Sequence, residues 1–422
     1  MNKYAIVGFG CAGYHAAEKI RSRDQEAVID VYSDTDIGPY NPMLTTYFVK
    51  GSLPYEGMFP FGSLEECEKK LNLHIKKECP VTAVDGENRM ICCADGTKEQ
   101  YDRILLSTGA SALKPPIPGL SLPGVFTMRT AEDAVRLKER IASGKLKTAL
   151  VIGASWVGIK VVEDFVEAKV ATTLVDGAPW MFYVAAFEET ARRAKEDLEK
   201  KGVRVSLCQM LDHIEANADG TLTAFMKSGD TFTADTIGVC IGVRTNTGFL
   251  KDSGIAMNRG ILVNSRMQTN LPGIYAAGDC VEAKDIQSGQ PKNIGVWYNA
   301  GRQGEVAGEN MAGGFMEFDA NILVNLAHYL DYDFICVGDV SACGPEDEYY
   351  EYEDEKLYIK ACKNGQKIKC INMIGSADAN GVVKNIFIKT IETPEAEIDV
   401  KSVCYLLTNG FPEAFISFLR RK

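Results

Sequence analysis

The sequence predicts an α/β protein with two doubly wound parallel sheets and a smaller C-terminal α+β domain. Two short apolar runs, Tyr4–Val7 and Ala149–Ile152, each lead into a glycine-rich turn, as a buried strand does when it passes into a helix. The two runs occupy equivalent places in two similar stretches of chain. A chain of 422 residues is long enough for two or three such domains.

The glycine-rich turns share one spacing. They read Gly8-Phe9-Gly10-Cys11-Ala12-Gly13 and Gly153-Ala154-Ser155-Trp156-Val157-Gly158. Small residues at these positions allow a tight turn and a close backbone approach, and the free N–H groups of the helix N-terminus face a pyrophosphate. One such turn indicates a Rossmann-like domain with one dinucleotide. Two of them indicate two dinucleotide-binding domains and electron transfer between the two ligands.

The elements after each turn follow the same plan. A helix is expected from about Ala12 to Ser22, and a second strand at Val28–Tyr32, followed by Asp34. A carboxylate about 20 residues after the last glycine accepts the adenosine ribose hydroxyls. The alternative for Asp34 is a turn aspartate. In the second unit the strand Thr172–Val175 ends at Asp176, which carries the corresponding carboxylate.

Domain boundaries come from the linker signals. The apolar strand from Arg103 ends in a small-residue turn and is followed by the proline-rich linker Lys114–Gly119, and a helix is expected over Thr130–Ser143. The interpretation is a discontinuous first domain (1–112 and 243–318), a second domain (113–242) and a C-terminal domain (319–422).

The tail is expected to be a set of strands followed by an amphipathic segment at Ile398–Leu419. The predicted strands are Phe334–Val340, Lys356–Cys362, Lys369–Gly375 and Val382–Lys389. Between the first two lies the acidic run Glu346–Glu355. It is interpreted as a solvated hairpin, with a docking surface for a basic partner as the alternative.

Composition excludes several classes of protein. A net charge of −11 argues against nucleic-acid binding, and no apolar run is long enough for a membrane span. The N-terminus enters a strand almost at once, which leaves no room for a signal peptide, so a cytoplasmic location is expected. The 13 cysteines form no CxxC pair, so we expect reduced thiols used as small apolar residues, and no metal site.

Eight motifs in a fixed order carry a family resemblance. They read GFGCAG, LLSTGA, PPIPG, FTMRTAEDA, GASWVG, GVRTN, GIYAAGD and WYNAGRQG. From Asn2 to about Gly314 the chain resembles the FAD/NAD(P) pyridine nucleotide oxidoreductases, flavoproteins with two dinucleotide-binding domains. The tail resembles the C-terminal interface domain of that family, which implies a homodimer.

The region after Asp34 indicates which branch of this flavoprotein family the chain resembles. Members that use a redox thiol carry one or two cysteines there, but this chain has none between Cys11 and Cys67. The run Pro42-Met43-Leu44-Thr45-Thr46 is similar to the rubredoxin and ferredoxin reductases, which pass electrons outward without a redox disulfide.

The resemblance implies a set of FAD contacts. The residues it carries over are Gly8, Gly10, Cys11, Ala12 and Gly13 at the pyrophosphate, Asp34 at the ribose, Val81 at the adenine, Thr108 and Gly109 closing over the cofactor, Arg129 and Gly278 as further FAD contacts, Asp279 at the ribityl chain, and Thr46 and Trp297 near the flavin ring. No chemical role is expected for the Cys11 thiol, because that position faces the helix and the phosphates.

For the nicotinamide cofactor, the resemblance implies a cradle of Gly153, Ser155 and Gly158, closed by Gly242. Asp176 favours NADH, because its carboxylate accepts from the ribose hydroxyls and repels the 2′-phosphate of NADPH. No arginine follows it in Gly177–Phe182.

Two positions depart from the ferredoxin reductases, which often carry a lysine and a glutamate that pair beside the flavin. Here these positions hold Thr46 and Lys160. Lys160 is interpreted as a cation near the flavin, or else as an exposed helix lysine. Trp156 takes the place of an aromatic gate over the flavin, with a packed core residue as the alternative.

The leading hypothesis is an NADH-dependent flavoprotein that reduces an electron-acceptor protein such as rubredoxin, ferredoxin or a partner subunit. One alternative is a reductase or NADH oxidase that acts directly on a small molecule. Another is a non-enzymatic redox-sensing protein that binds partners, which two intact cradles disfavour.

Overall fold

The computed structural model describes residues 2–318, 321–375, 377–393 and 397–420. Its ten named helices are α1 Cys11–Arg23, α2 Thr45–Lys50, α3 Leu64–Leu71, α4 Ala131–Ala142, α5 Trp156–Glu167, α6 Glu188–Lys200, α7 Trp297–Met311, α8 Asn380–Glu392, α9 Val400–Thr408 and α10 Glu413–Leu419.

The strands of the same residues, in chain order, are β1 Lys3–Val7, β2 Val28–Tyr32, β3 His74–Lys76, β4 Val81–Asp85, β5 Met90–Cys93, β6 Lys98–Gln100, β7 Arg103–Leu106, β8 Ala110–Ala112, β9 Val125–Phe126, β10 Thr148–Ile152, β11 Ala171–Val175, β12 Arg204–Ser206, β13 Leu211–Ala216, β14 Leu222–Met226, β15 Thr231–Ala234, β16 Thr236–Val239, β17 Val243–Thr245, β18 Ile261–Leu262, β19 Ile274–Ala276, β20 Val281–Lys284, β21 Pro291–Lys292, β22 Val324–Tyr329, β23 Tyr332–Gly338, β24 Glu348–Glu353, β25 Tyr358–Asn364 and β26 Lys367–Gly375.

The chain forms two compact units. Unit 1 comprises 1–113, 129–138 and 242–321, and unit 2 comprises 114–128, 139–241 and 322–422. The division into three domains expected from the sequence stays a prediction. Two features differ from that expectation: the short segment 129–138 lies in unit 1, and the C-terminal segment shares unit 2 with the second glycine turn.

Unit 1 is built on a five-stranded sheet with the order β19-β7-β1-β2-β3, and all its pairings are parallel. Each buried strand presents alternate residues to two cores. Ile6 and Ile29 face the core that includes α1 and α7, and Ala5 and Val7 face the core under the antiparallel sheet β4-β5-β6. This gives the three layers expected of a doubly wound domain.

Unit 2 repeats the plan. Its parallel sheet has the order β12-β11-β10-β16-β9, and an antiparallel sheet β13-β14-β15 packs on one face of it. In both units the glycine turn follows the central strand, β1 or β10. The turn therefore lies at the carboxyl edge of the sheet, where ligands of open α/β sheets bind.

The C-terminal segment of unit 2 contains an antiparallel sheet of order β22-β23-β26-β25-β24. Three of the four predicted tail strands are present, but the prediction of a strand at Val382–Lys389 is wrong. This stretch belongs to α8, whose buried residues are Val383, Ile386, Phe387 and Thr390. That spacing is helical, so the period of the buried positions decided the structure against the β-branched composition.

The acidic run Glu346–Glu355 contains the edge strand β24. Several of its carboxylates are matched within unit 2: Arg193 pairs with Glu353, Lys360 with Glu351 at 3.5 Å and Lys363 with Glu348 at 3.4 Å. Charged side chains on an edge strand also oppose pairing with another chain. The paired carboxylates support a structural role for much of the run, and docking of a basic partner there stays a prediction.

Candidate functional site

The first glycine turn joins β1 to α1 in unit 1. The Gly8 N–H donates to the Tyr32 carbonyl at 2.8 Å, which ties the turn to the end of β2. Gly8 has φ +89°, and a Cβ there would lie 2.5 Å from the Ser107 carbonyl oxygen. The backbone just after β7 therefore occupies the space that a side chain would need, and this position requires glycine for the fold itself.

Gly10 differs from Gly8 because neither its backbone conformation nor a neighbouring protein atom requires a glycine there. It is the N-cap of α1 with φ −87°, which any residue adopts, and a Cβ there would meet no atom within 4 Å. The missing side chain leaves open space in front of the first N–H groups of α1. An open, donor-lined helix N-terminus fits a pyrophosphate.

The second turn joins β10 to α5 in unit 2 with the same contacts. The Gly153 N–H donates to the Val175 carbonyl at 2.8 Å, and a Cβ on Gly153 (φ +110°) would lie 2.2 Å from the Cys240 carbonyl oxygen. A Cβ on Gly158 would lie 1.8 Å from the Gly153 carbonyl oxygen. Ser155 is the N-cap of α5, so it holds the place that Gly10 holds in unit 1.

Because each turn is bonded to the last residue of the second strand, the residue that follows this strand holds an equivalent place in the two units. In unit 2 that residue is Asp176, directly after Val175; in unit 1 it is Ser33, directly after Tyr32. Ser33 is buried and its hydroxyl donates to the Thr35 carbonyl at 2.9 Å. Asp34 lies one residue further and is exposed. The distance along the chain from the last glycine selects Asp34. It does not identify Ser33, which is the residue directly after the second strand.

Asp176 is held by the turn that it faces. One carboxylate oxygen accepts from the Ala154 N–H at 2.5 Å and the other from the Ala178 N–H at 2.7 Å. Each carboxylate oxygen can accept a further hydrogen bond. The side chain therefore has a fixed position beside the second turn and retains capacity to accept from a ribose.

Arg129 and Asp279, which the resemblance assigns to FAD, form an ion pair in unit 1 at 2.6 Å. The Arg129 Nε also donates to the Ala110 carbonyl at 3.1 Å. Both side chains are largely buried, and they bring the segment before α4 to the turn after β19. Gly278, next to Asp279, is fixed by a hydrogen bond from its N–H to the Gln303 side chain at 2.8 Å.

The turn after β7 is tied to the segment after β17. The Thr108 hydroxyl donates to the Asn246 carbonyl at 2.8 Å, and the Asn246 amide donates to the Thr108 carbonyl at 2.9 Å. The Asn246 N–H donates to the Gly109 carbonyl at 3.0 Å. Gly242, which was expected to close the second cradle, is the first residue of the last segment of unit 1, and its carbonyl accepts from the Leu113 N–H at 2.9 Å.

Trp297 begins α7 and stacks on Phe61 at 5.9 Å between ring centroids. Its carbonyl accepts from the Cys11 thiol at 3.7 Å. Burial, together with the nearby carboxylates of Asp279 and Glu305, raises the pKa of the Cys11 thiol to about 12. Cys11 is therefore protonated near neutrality, which supports the expectation that it takes no part in chemistry.

Two further FAD candidates lie in unit 1. Val81 is the first residue of β4 and pairs with Cys93, and Thr46 is a buried residue of α2. Their backbone positions are set by β5 and by the turn that starts at Pro42. Roles for both at the cofactor stay predictions.

Trp156 packs against an aromatic cluster within unit 2. Its ring centroid lies 4.7 Å from that of Phe182 and 5.3 Å from that of Phe334, and both partners are buried. The Trp156 side chain itself is half-buried. These contacts support the packing alternative, and the gate role stays a prediction.

Lys160 is a buried, paired cation rather than an exposed helix lysine. Its ammonium forms an ion pair with Glu163 and donates to the His328 carbonyl at 3.0 Å, and its side chain is only 14% exposed. Glu163, 3% exposed, also accepts from the Leu330 N–H at 2.6 Å. The pair thus joins α5 to the hairpin β22–β23. These contacts support a structural role for Lys160, and a place beside the flavin stays a prediction.

Replacing Lys160 by methionine is expected to lower the free energy of unfolding by about 3 kcal/mol, because it leaves a buried carboxylate unpaired. The double variant Lys160→Met/Glu163→Gln should recover much of that loss, since glutamine still accepts from Leu330. Urea unfolding of the FAD-loaded protein measures both. Unchanged stability with strongly slowed flavin reduction by NADH would instead place the cation at the flavin.

The described residues contain neither a membrane-spanning helix nor a cluster of metal ligands. No helix among them has the length and apolar character needed to cross a bilayer. Within the same ranges, no group of three or more His, Cys, Asp or Glu side chains is arranged to hold a metal ion.

Comparisons with known proteins agree with this geometry. The family model described as pyridine nucleotide-disulphide oxidoreductase matches residues 2–304. An NADH oxidase of Methanocaldococcus jannaschii is 31% identical over 313 residues, which span 73% of this chain and 69% of the relative. An NADH-rubredoxin oxidoreductase of Clostridium acetobutylicum is 24% identical over 408 residues, 96% of this chain and 99% of the relative.

Among solved structures, a water-forming NADH oxidase from Lactobacillus brevis bound to NADH aligns with a TM-score of 0.86. It is 22% identical, and the alignment covers 93% of this chain and 90% of that one. At that identity the likeness speaks for the fold. The expected fold class, two doubly wound domains followed by a C-terminal α+β segment, is confirmed.

Proposed function

This chain belongs to the pyridine nucleotide-disulphide oxidoreductase family, and on that basis we propose that it oxidises NADH and passes the electrons through FAD to a redox partner protein. It is an FAD-dependent NAD(P)H oxidoreductase, as the resemblance implied. The observation that carries the proposal is the pair of glycine turns with matching contacts, because each supplies a helix N-terminus for one dinucleotide.

In unit 1 the N-terminus of α1, opened by Gly10, would hold the FAD pyrophosphate. The Arg129–Asp279 pair fixes the Asp279 carboxylate where the resemblance places the ribityl chain. Asp34, exposed beyond β2, is the proposed acceptor for the adenosine ribose, and the buried Ser33 holds its turn. When bound, FAD accepts a hydride from NADH and can release electrons singly.

In unit 2 the N-terminus of α5 would hold the NADH pyrophosphate, with Asp176 accepting from the adenosine ribose. The two N–H groups that fix Asp176 preorganise this carboxylate, so little side-chain entropy is lost on binding. The same fixed negative charge disfavours a 2′-phosphate. We therefore propose NADH as the preferred donor.

A partner protein is proposed as the acceptor because the segment between Cys11 and Cys67 holds no cysteine that could serve as a redox thiol. The similarity to an NADH-rubredoxin oxidoreductase over nearly the full length of both chains supports this route. The second candidate is direct reduction of oxygen or another small molecule, favoured by the similarity to NADH oxidases. A net charge of −11 also opposes the approach of an acidic carrier. Homodimerisation stays a prediction.

A comparison of electron acceptors distinguishes a protein acceptor from a small-molecule acceptor. The flavin is first reduced by NADH without oxygen, and each acceptor is then added. NADH is expected to bleach the flavin of the purified protein, and rubredoxin or ferredoxin should reoxidise it much faster than an equal concentration of oxygen or a quinone. Stopped-flow absorbance of the flavin gives both rates. As a control, alkylating the exposed thiols Cys208 and Cys404 should leave flavin reduction by NADH unchanged.

Reoxidation by oxygen at the full NADH turnover rate, with no gain from either carrier, would contradict the protein-acceptor proposal and establish an oxidase. Loss of flavin reduction after alkylation would contradict the thiol-independent path.

A further inference from the structure

Three of the 13 cysteines meet in the C-terminal sheet of unit 2. Cys362 on β25 and Cys370 on β26 face each other in register, and Cys343 packs against the same cluster from the loop before β24. Phe187 and Val340 complete the cluster. We propose that Cys343 and Cys362 are a redox-active dithiol that hydrogen peroxide oxidises to a reversible intramolecular disulfide.

The first support is the contact between the two thiols. Cys343 packs against the buried cluster that contains Cys362, and the Cys362 thiol donates to the same Asp347 oxygen that accepts from the N–H of Gly344, the residue after Cys343. Cys370 is held differently: it is fully buried, and its sulfur accepts from the Asn372 amide at 3.6 Å. Cys343 is partly exposed, whereas Cys362 has no exposed surface. Cys343 is therefore accessible to solvent, whereas Cys362 is buried.

The second support is a clamp that fixes the two cysteine-bearing segments to each other. The Asp347 side chain is only 2% exposed, and its carboxylate accepts from the Gly344 N–H and the Asn364 amide, both at 2.6 Å. Gly344 follows Cys343, and Asn364 lies two residues after Cys362. Lys369 neutralises the carboxylate at 2.8 Å. Asp347 thus ties the backbone just after Cys343 to the end of the strand that carries Cys362, and a disulfide requires its two cysteines to be held close in this way.

The third support is the electrostatic setting of the sulfurs. The Cys362 thiol donates to Asp347 at 3.7 Å. The neighbouring Cys343 thiol lowers the pKa of the Cys362 thiol, and the Tyr349 hydroxyl acts in the same direction. The proximity of Cys362 in turn raises the pKa of Cys343. The first proton to leave the pair therefore comes from the buried sulfur.

The chemistry balances with peroxide as the only co-reactant. The Cys362 thiolate takes the proton of Cys343 as the partly exposed Cys343 sulfur attacks one peroxide oxygen; the O–O bond breaks, and the departing hydroxide becomes water with the proton that Cys362 had first released. Cys362 then loses its new proton and its sulfur attacks the sulfenic sulfur of Cys343; the S–O bond breaks, and the departing hydroxide takes up that proton as a second water. Two thiols are oxidised and one peroxide is reduced to two waters.

This dithiol is independent of the electron path proposed above. It lies in the C-terminal sheet, and its formation requires neither NADH nor flavin reduction. Failure of one proposal therefore leaves the other standing.

Peptide mapping of the full-length, FAD-loaded protein tests the proposal. After peroxide treatment, free thiols are alkylated and the unreduced protein is digested with trypsin, which separates the three cysteines because Lys356, Lys360, Lys363 and Lys369 lie between them. We expect a cross-linked peptide that joins Cys343 to Cys362, a mass lower by about 2 Da, and full reversal by dithiothreitol.

Cys343→Ser and Cys362→Ser should each abolish the cross-link, whereas Cys404→Ser, which removes an exposed cysteine of α9, should keep it. In Cys362→Ser, dimedone should trap a sulfenic acid on Cys343. If a variant fails to fold, the map of the wild-type protein decides. Alkylated Cys343 and Cys362 after peroxide, or a cross-link between Cys362 and Cys370, would overturn the proposal.

Discussion

Replacing Gly10 with alanine is expected to give a folded protein that no longer retains FAD. The backbone of Gly10 suits any residue, and its Cβ would meet no protein atom within 4 Å, so the fold should tolerate the change. The added methyl would instead fill the space at the N-terminus of α1. Displacing the pyrophosphate from one or two N–H donors, each worth about 1.5 kcal/mol, weakens FAD binding by roughly 100-fold.

The matched variant Gly8→Ala should fail in a different way. Its φ of +89° and the Ser107 carbonyl 2.5 Å from the new Cβ act on the polypeptide whether or not FAD is bound. We expect lower stability of the FAD-free protein for Gly8→Ala and unchanged stability for Gly10→Ala, by thermal unfolding monitored with circular dichroism.

Flavin content per chain, from the absorbance of the purified protein, completes the test. Gly248→Ala is the control, because Gly248 is exposed and its Cβ would also meet no atom within 4 Å. A Gly10→Ala protein that keeps one FAD per chain would show that α1 does not hold the pyrophosphate.

Replacing Asp176 with serine is expected to lower the preference for NADH over NADPH by roughly 30- to 100-fold in kcat/KM, which corresponds to about 2–3 kcal/mol. Serine is the residue that the matching contacts place at this position in unit 1. The change removes the acceptor for the ribose hydroxyls and the charge that repels a 2′-phosphate. Because Ala154 and Ala178 lose their partner, the KM for NADH should also rise.

Initial rates of anaerobic flavin reduction at varied NADH and NADPH give the ratio. Asp34→Ala is the matched control: it removes an exposed carboxylate in unit 1, so it should weaken FAD retention and leave the nicotinamide preference alone. An unchanged ratio in Asp176→Ser would remove the basis for NADH preference. A changed ratio in Asp34→Ala would mean that the two carboxylates have exchanged their expected roles.

The sequence predicted the repeated core of each unit well. The predicted strand Val28–Tyr32 is β2 with the same bounds, and the predicted helices Ala12–Ser22 and Thr130–Ser143 match α1 and α4 within one residue at each end. These elements have a strong local signal, because a buried parallel strand is a continuous apolar run and glycine marks where it ends.

The tail was harder because its local signals conflict. The residues around Val383 and Ile386 favour a strand by composition, yet they form α8. Only packing on the antiparallel sheet, where Val383, Ile386 and Phe387 are buried on one helical face, selected the helix. Intrinsic preference is a weak prior when a tertiary surface decides which period is buried.

By itself, the sequence determined the two glycine turns and the absence of a cysteine between Cys11 and Cys67, because each is a property of neighbouring residues. Only the tertiary structure distinguished Gly8, which the fold requires, from Gly10, which it leaves open. It also showed that Ser33 holds in unit 1 the place that Asp176 holds in unit 2, paired Lys160 with Glu163, and packed Cys343 against the cluster that contains Cys362. These facts depend on which distant backbone or side chain lies within a few ångströms, and residue spacing carries no such information.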